Sequence, residues 1–253
     1  MRYYTLLAFI GATLGCRLSM SPLQNRLDVG RESYAIFAAD GEGGQGDLFA
    51  VAGAGGSIFP VTYTRLHESG PALSPDGTML AFLRSRTAGD SADTRVVVMN
   101  LLNGAERVLF TSRPGRIPLK VGWYAAAPVL FIGTSGGVLE ATLPPADLVV
   151  YPTANHTVAT AALRVLLGSP AFAEVVPCDE QPGLCVAPLV GGGEESLGPD
   201  VSAAVPWGPD SLAYLSGGQL LVRPLAAGRS RVVNWVDPPD DPRQLTGFLP
   251  GSH

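Results

Sequence analysis

Gly133-Thr134-Ser135-Gly136-Gly137 fits the G-x-S-x-G pattern that, in serine hydrolases, lifts a nucleophilic hydroxyl on a strand-to-helix turn. The chemistry would be acyl transfer, which needs a histidine base and an acid to orient it. Downstream the chain offers only His156 and His253, and strand-like residues stand on both sides of the serine. The segment therefore reads as a glycine-rich hairpin turn. Gly41 to Gly46 matches G-x-G-x-x-G, but Asp47-Leu48-Phe49-Ala50-Val51 follows in a strand pattern. A dinucleotide site needs a helix to open there instead, so that its N-terminus can hold the pyrophosphate. No cofactor and no catalytic residue are expected.

Acids and histidines give little more. Asp40, Glu42 and Asp47 flank the same glycine loop, and Asp90 and Asp93 flank another. Oxygen ligands of this kind suit Ca²⁺, yet no EF-hand or other regular spacing is present and solvated loop acids are the plainer reading. His67 lies between two repeat units, where it would face a central funnel, but one histidine makes no catalytic cluster. Asn155-His156-Thr157 is a glycosylation sequon by pattern alone. Cys178 and Cys185 flank Asp179-Glu180-Gln181-Pro182-Gly183, a turn between two apolar runs. They read as a disulfide across a hairpin, with two buried thiols as the alternative; no histidine or third cysteine stands nearby to make a metal site.

The elements that must position these residues are short strands. The chain has 253 residues, 46% of them hydrophobic, with 31 Gly and 22 Pro spread along it rather than gathered in one linker. Apolar runs are brief and rich in Val, Leu, Ala and Phe, as buried strands require, and helical periodicity is nearly absent beyond the N-terminus. Net charge is −5, from 17 basic and 22 acidic residues. The basic residues are scattered in sequence and form no stripe, so nucleic acid is not an expected partner.

Ser74-Pro75-Asp76-Gly77 is the clearest punctuation. Pro75 presets φ for a turn, Asp76 can bond the backbone just ahead, and Gly77 accepts the positive φ that ends it. Met79 to Leu83, Thr94 to Asn100 and Arg107 to Thr111 follow as strands. Trp207-Gly208-Pro209-Asp210 opens a second such unit, and Trp123-Tyr124-Ala125 a third. Leu73, Trp123, Leu167 and Trp207 are separated by 50, 44 and 40 residues. A period of about 40 to 50 residues marks propeller and solenoid architectures.

This unit resembles the TolB-like repeat, also described as WD40-like or PD40, in which a W-S-P-D-G turn precedes a strand ending in A-F and another ending in M-N. Leu73 stands here where that family has Trp. The resemblance implies an all-β propeller of five or six four-stranded antiparallel blades, with Arg243 to Phe248 completing a blade whose other strands are N-terminal. Trp123, Trp207 and Trp235 are expected to pack between blades rather than to hold ligands. The resemblance further implies a non-catalytic binding platform on the loop face, taking an envelope protein or another macromolecule. The family's N-terminal α/β domain has no room before the first blade, so a full TolB role is not expected. The alternative is an envelope enzyme, a glycan lyase or hydrolase working in the funnel.

The N-terminus reads as an export signal. Arg2 precedes an apolar run from Tyr4 to Leu14 that is too short to span a bilayer. It ends in Thr13-Leu14-Gly15-Cys16, which resembles a lipobox with its first two positions reversed. The expected division is a signal peptide over 1–15, a short linker over 16–30 and one propeller over 31–253. Cys16 would carry a lipid that ties the protein to a membrane, in the periplasm or at the outer membrane, with simple cleavage nearby or an uncleaved apolar N-terminus as the alternatives. A monomer is expected.

Overall fold

The computed structural model describes residues 20–41, 43–124, 128–143, 147–151, 162, 165–166, 173–179, 181–188, 194–201, 203–208, 210–225 and 229–250. Among them the chain forms five sheets, the blades of a five-bladed β-propeller.

Blade 2 shows the plan in full. Its strands β4 (His67–Leu73), β5 (Met79–Ser85), β6 (Arg95–Asn100) and β7 (Glu106–Thr111) pair antiparallel in that order. Blade 3 repeats it with β8 (Pro118–Trp123), β9 (Val129–Thr134), β10 (Gly137–Thr142) and β11 (Asp147–Tyr151). Blade 5 does so with β15 (Ala203–Pro206), β16 (Ser211–Ser216), β17 (Gln219–Pro224) and β18 (Arg231–Val233).

Blade 1 is assembled from both ends of the chain. Strands β1 (Tyr34–Asp40), β2 (Gly46–Ala52) and β3 (Gly56–Pro60) receive β20 (Asp240–Phe248) beside β1, antiparallel from Tyr34↔Phe248 to Asp40↔Asp240. This is the ring closure that the tail's strand pattern foretold.

Two blades depart from four antiparallel strands. Blade 1 gains a fifth, because β19 (Trp235–Val236) leaves blade 5 and pairs parallel with β3. The Trp235 indole stacks on Phe37 with ring centroids 4.8 Å apart, which anchors the crossing. Blade 4 shows three strands among the described residues, β12 (Ala173–Pro177), β13 (Leu184–Pro188) and β14 (Glu195–Gly198). Leu167, expected in its inner strand, lies outside the described residues, as do Pro209, Ala125, Glu42 and the sequon.

Apolar cores lie between blades. Tyr34, Ile36, Leu48, Phe82 and Phe248 fill the seam of blades 1 and 2. Phe110, Trp123 and Ile132 fill that of blades 2 and 3, and Phe37, Trp207, Leu215 and Leu245 that of blades 5 and 1. Strands β1, β5, β6, β9 and β16 are buried on both faces, which explains their continuous apolar runs, and no blade can stand without its neighbours. Trp123 Nε1 donates to the Ala72 carbonyl at 3.0 Å, a hydrogen bond across the seam. Residues 20–33 also pack: Leu23 and Leu27 join the core of blades 1 and 2, and Ser21 Oγ bonds the Leu101 carbonyl.

The Ser-Pro-Asp-Gly turn is held by its own side chains. Asp76 accepts from Ser74 Oγ at 2.6 Å and from Thr78 N at 3.1 Å, while Met79 N donates to Ser74 Oγ at 2.9 Å. Gly77 takes φ +68°, and its carbonyl receives the buried Tyr34 hydroxyl. In the related turn of blade 5, Gly208 takes φ +83° and Trp207 N donates to the Ser211 carbonyl at 2.8 Å.

Cys178 and Cys185 are joined by a disulfide across the β12–β13 hairpin, seven residues apart in sequence. A crosslink over so short a loop stabilises by about 2 kcal/mol through the unfolded chain. Cys178→Ser with Cys185→Ser should lose that amount in urea unfolding. A reducing agent should produce the same loss in the wild type and none in the double variant.

Candidate functional site

Successive strands run up and down, so their connections sort onto two faces. The upper face carries 43–45, 61–66, 86–94, 112–117 and 135–136, and the lower face carries 53–55, 74–78 and 101–105. Polar chemistry concentrates on the upper face and in the seam just beneath it.

The seam of blades 1 and 2 holds a titratable cluster. Glu68, on β4, has no exposed surface. Its Oε1 accepts from Arg84 Nε at 2.8 Å and from Thr64 Oγ1 at 2.7 Å. Arg84 runs back over the Phe82 ring and forks onto Glu106, with bonds of 2.6 and 2.9 Å. Asp47, at the start of β2, lies beside the Glu68 carboxyl and takes the Thr64 backbone N–H; burial outweighs their influence and raises its pKa. Glu68 is raised too, first by burial, against Thr64 and Arg84.

His67 Nδ1 accepts from Gly46 N at 2.9 Å, which places the ring proton on Nε2. Burial first, and then Arg243, lower the His67 pKa and keep the ring neutral. Arg243, on β20, pairs with Asp40 at 2.8 Å and with Asp241 at 2.7 Å. Two side chains of β20 lace the inner strands together: Gln244 Oε1 accepts from Gly70 N at 2.7 Å, and Thr246 Oγ1 from Leu73 N at 3.1 Å.

Above blades 2 and 3 the surface is cationic. Arg65, Arg86, Arg113, Arg116 and Lys120 are exposed there, with Asp90 and Asp93 as the facing acids. Asp93 is shared between Arg86 at 3.2 Å and Arg95 at 2.9 Å. Beside them Leu66, Arg84, Ser85, Arg86, Asp93 and Arg95 line a cavity of about 100 Å³. The patch is continuous, because Ser112 Oγ bonds the Ala92 carbonyl at 2.6 Å and the turn at 115–116 abuts Gly136. Lys120 stands on the inner strand β8; the protein around it displaces enough water to lower its ammonium pKa. Tyr63 at 78% exposure and Leu119 at 63% add apolar surface to the same region.

Several residues singled out by type fall elsewhere. Ser135 sits in the tight turn between β9 and β10, where its hydroxyl accepts from Ile117 N at 3.0 Å, so no nucleophile elbow forms. The glycines from 41 to 46 close the β1–β2 hairpin, with Gly41 N donating to the Gln45 carbonyl at 2.9 Å. Asp90 caps its own loop by accepting from Ala92 N at 3.1 Å. Trp207 packs at 6% exposure between blades 5 and 1. Ser74, Pro75, Asp76 and Gly77 lie on the lower face, away from the cluster. Cys16 lies outside the described residues. Among the described residues one group of side chains has metal-ligand proximity, Cys178, Cys185 and Glu194, and its two sulfurs are already bonded to each other.

Glu68, Arg84 and Glu106 drew no attention in sequence because each is an ordinary strand-end charge. A plain register count would have missed the first pair as well. Leu73 faces Leu80 across the β4–β5 hairpin, but an irregularity between Ser69 and Ala72 shifts the ladder by one, and that shift brings Glu68 opposite Arg84.

These features define a five-bladed β-propeller with its polar apparatus on one face. No protein-family profile matches the chain, and no curated protein matches it. Among solved structures it is similar to TolB from Acinetobacter baumannii, at 11% identity and a TM-score of 0.42, over 79% of this chain and 52% of that one. The chain thus spans about half the length of that TolB. It is similar to a protein described as TolB from Agrobacterium tumefaciens, at 14% identity and a TM-score of 0.37, over 86% and 71%. It is also similar to a puromycin-hydrolyzing peptidase from Mycobacterium tuberculosis, at 14% identity and a TM-score of 0.36, over 78% and 34%.

Proposed function

We propose that the protein is an exported, non-catalytic propeller that binds an acidic segment of an envelope protein on its upper face. The observation that carries this reading is the cationic surface over blades 2 and 3. Five exposed basic residues gather there in a chain whose net charge is −5. Arginines interleaved with an exposed tyrosine and leucine are the mixture that protein interfaces favour. The guanidiniums around the small cavity are already paired with Glu68, Glu106 and Asp93, so the exposed Arg65, Arg113 and Arg116 are the residues that would take the carboxylates of such a segment.

The disulfide supports export, since such bonds persist in oxidising compartments. A lipid at Cys16 would tether the monomer to a membrane in the periplasm or at the outer membrane. The alternative, a glycan lyase or hydrolase, draws on the acids beside His67. It is disfavoured because Glu68 and Asp47 are sealed at 0% and 4% exposure, where no substrate reaches them.

Binding to a poly-glutamate peptide tests the reading. Arg113→Glu with Arg116→Glu should weaken it by about tenfold or more at low salt, with the difference shrinking as salt screens the surface. Thermal stability should stay unchanged. Tighter binding to an oligonucleotide than to the peptide would overturn the partner class. Glycan turnover abolished by His67→Ala would overturn the non-catalytic role.

A further inference from the structure

The seam of blades 1 and 2 contains more negative charge than its cations neutralise. Asp47 Oδ1 and Glu68 Oε2 are both buried and find no donor among the described residues. Both carboxyls converge on Thr64, Glu68 through the Thr64 hydroxyl and Asp47 through its backbone N–H, which brings the two acids together. Ionised carboxylates only accept, so the two can bridge only if one of them carries a proton.

Every element packed around the pair contributes to the balance. From β5, Arg84 is the full cation within reach, and it is divided between Glu68 and Glu106 of β7. From the β3–β4 connection, Thr64 supplies a hydroxyl and an N–H but no charge. His67 of β4 is neutral. Asp40 of β1 and Asp241 are satisfied by Arg243 of β20. A second positive charge is missing. A metal ion would want further ligands, and among the described residues no third acid, histidine or cysteine joins this pair.

We propose that Asp47 and Glu68 share a single proton, and that this proton is a pH-sensitive latch across the seam of blades 1 and 2. With the proton in place the pair is a short, dry bridge from β2 to β4. Without it, two like charges face each other away from water, and the upper-face segments they support at 43–45 and 61–66 loosen. The latch is independent of what the upper face binds.

The sign follows from burial, the largest influence on both groups. Each carboxyl is raised in the folded state relative to the unfolded chain. Their contribution to stability is therefore complete below the unfolded carboxylate range, about pH 4, and is lost as pH rises through the folded value. His67 acts oppositely: its lowered pKa favours folding above about pH 6.5, and that contribution disappears on acidification.

Urea unfolding of the full chain between about pH 4 and pH 9 tests the proposal, with Asp47→Asn as the variant. An asparagine amide can donate to Glu68 without titrating, and His67 remains in both proteins. In the wild type, relative to the variant, the unfolding constant should rise by up to about tenfold per pH unit where the proton is lost. Infrared spectra should show a protonated-carboxyl stretch in the wild type that survives at least a pH unit above the ordinary carboxylate range and is absent from the variant. Equal pH slopes in the two proteins, or no such stretch, would overturn the latch. So would Ca²⁺ raising the wild-type midpoint at about pH 8 but not the variant's, since a cation would then occupy the seam. The wild-type infrared titration decides the matter even if the variant fails to fold.

Discussion

Truncating the chain before Asp240 is expected to abolish cooperative unfolding. The lost strand, β20, is the inner strand of blade 1 and, among the described residues, the strand that pairs with that edge of β1. It buries Leu245 and Phe248, each at 6% exposure, and its removal uncovers Tyr34 and Ile36, which have none. Burial of each such side chain stabilises by about 2–3 kcal/mol. Four of them, together with a severed hydrogen-bond ladder, match the whole stability of an ordinary domain, about 5–15 kcal/mol. The truncated chain should keep strand signal by circular dichroism but melt in a broad, gradual transition. A sharp transition within about 2 kcal/mol of wild type would show that ring closure is dispensable.

Gly77→Ala should destabilise the protein by about 3–4 kcal/mol. The residue sits at φ +68°, and an added Cβ would lie 2.6 Å from the Phe248 ring. Left-handed backbone costs a non-glycine residue about 1–3 kcal/mol, and overpacking a core adds about as much. Gly89→Ala provides the control, since Gly89 has φ +76° but nothing within 4 Å of the new carbon. It should lose only the backbone share, about 1 kcal/mol. Equal losses at the two glycines would mean that Phe248 is not locked against the turn.

The blade plan was legible because it is local. The Ser74 to Gly77 turn, the apolar run after it and the tail strand from Arg243 each declare themselves within a few residues. The hairpin around Cys178 and Cys185 did so as well, through the turn residues between them. What escaped is what the ring creates. Asp47, Glu68 and Arg84 lie on three strands of two blades, and only the packing of β2 against β4 makes them one group. The basic residues are scattered along the chain, yet Arg65, Arg86, Arg113, Arg116 and Lys120 meet on one face because every second connection returns there. Blade number was open in sequence because degenerate turns such as that after Trp123 hide unit boundaries. The crossing of Trp235 to blade 1 was hidden because two residues of strand have no pattern, and a stacked ring on Phe37 decides their place.

The packing of residues 20–33 has a bearing on orientation. Gly104, in a lower-face turn, abuts the Met20 carbonyl, and Gly208 abuts Leu249 beside the point where the last strand ends. Met20 and Leu249, at the two ends of the described residues, therefore lie on the side away from the cationic loops. A tether, fusion or solid support joined at either end would hold the wheel by its underside, leaving the arginine-rich surface pointing outward and open to whatever approaches.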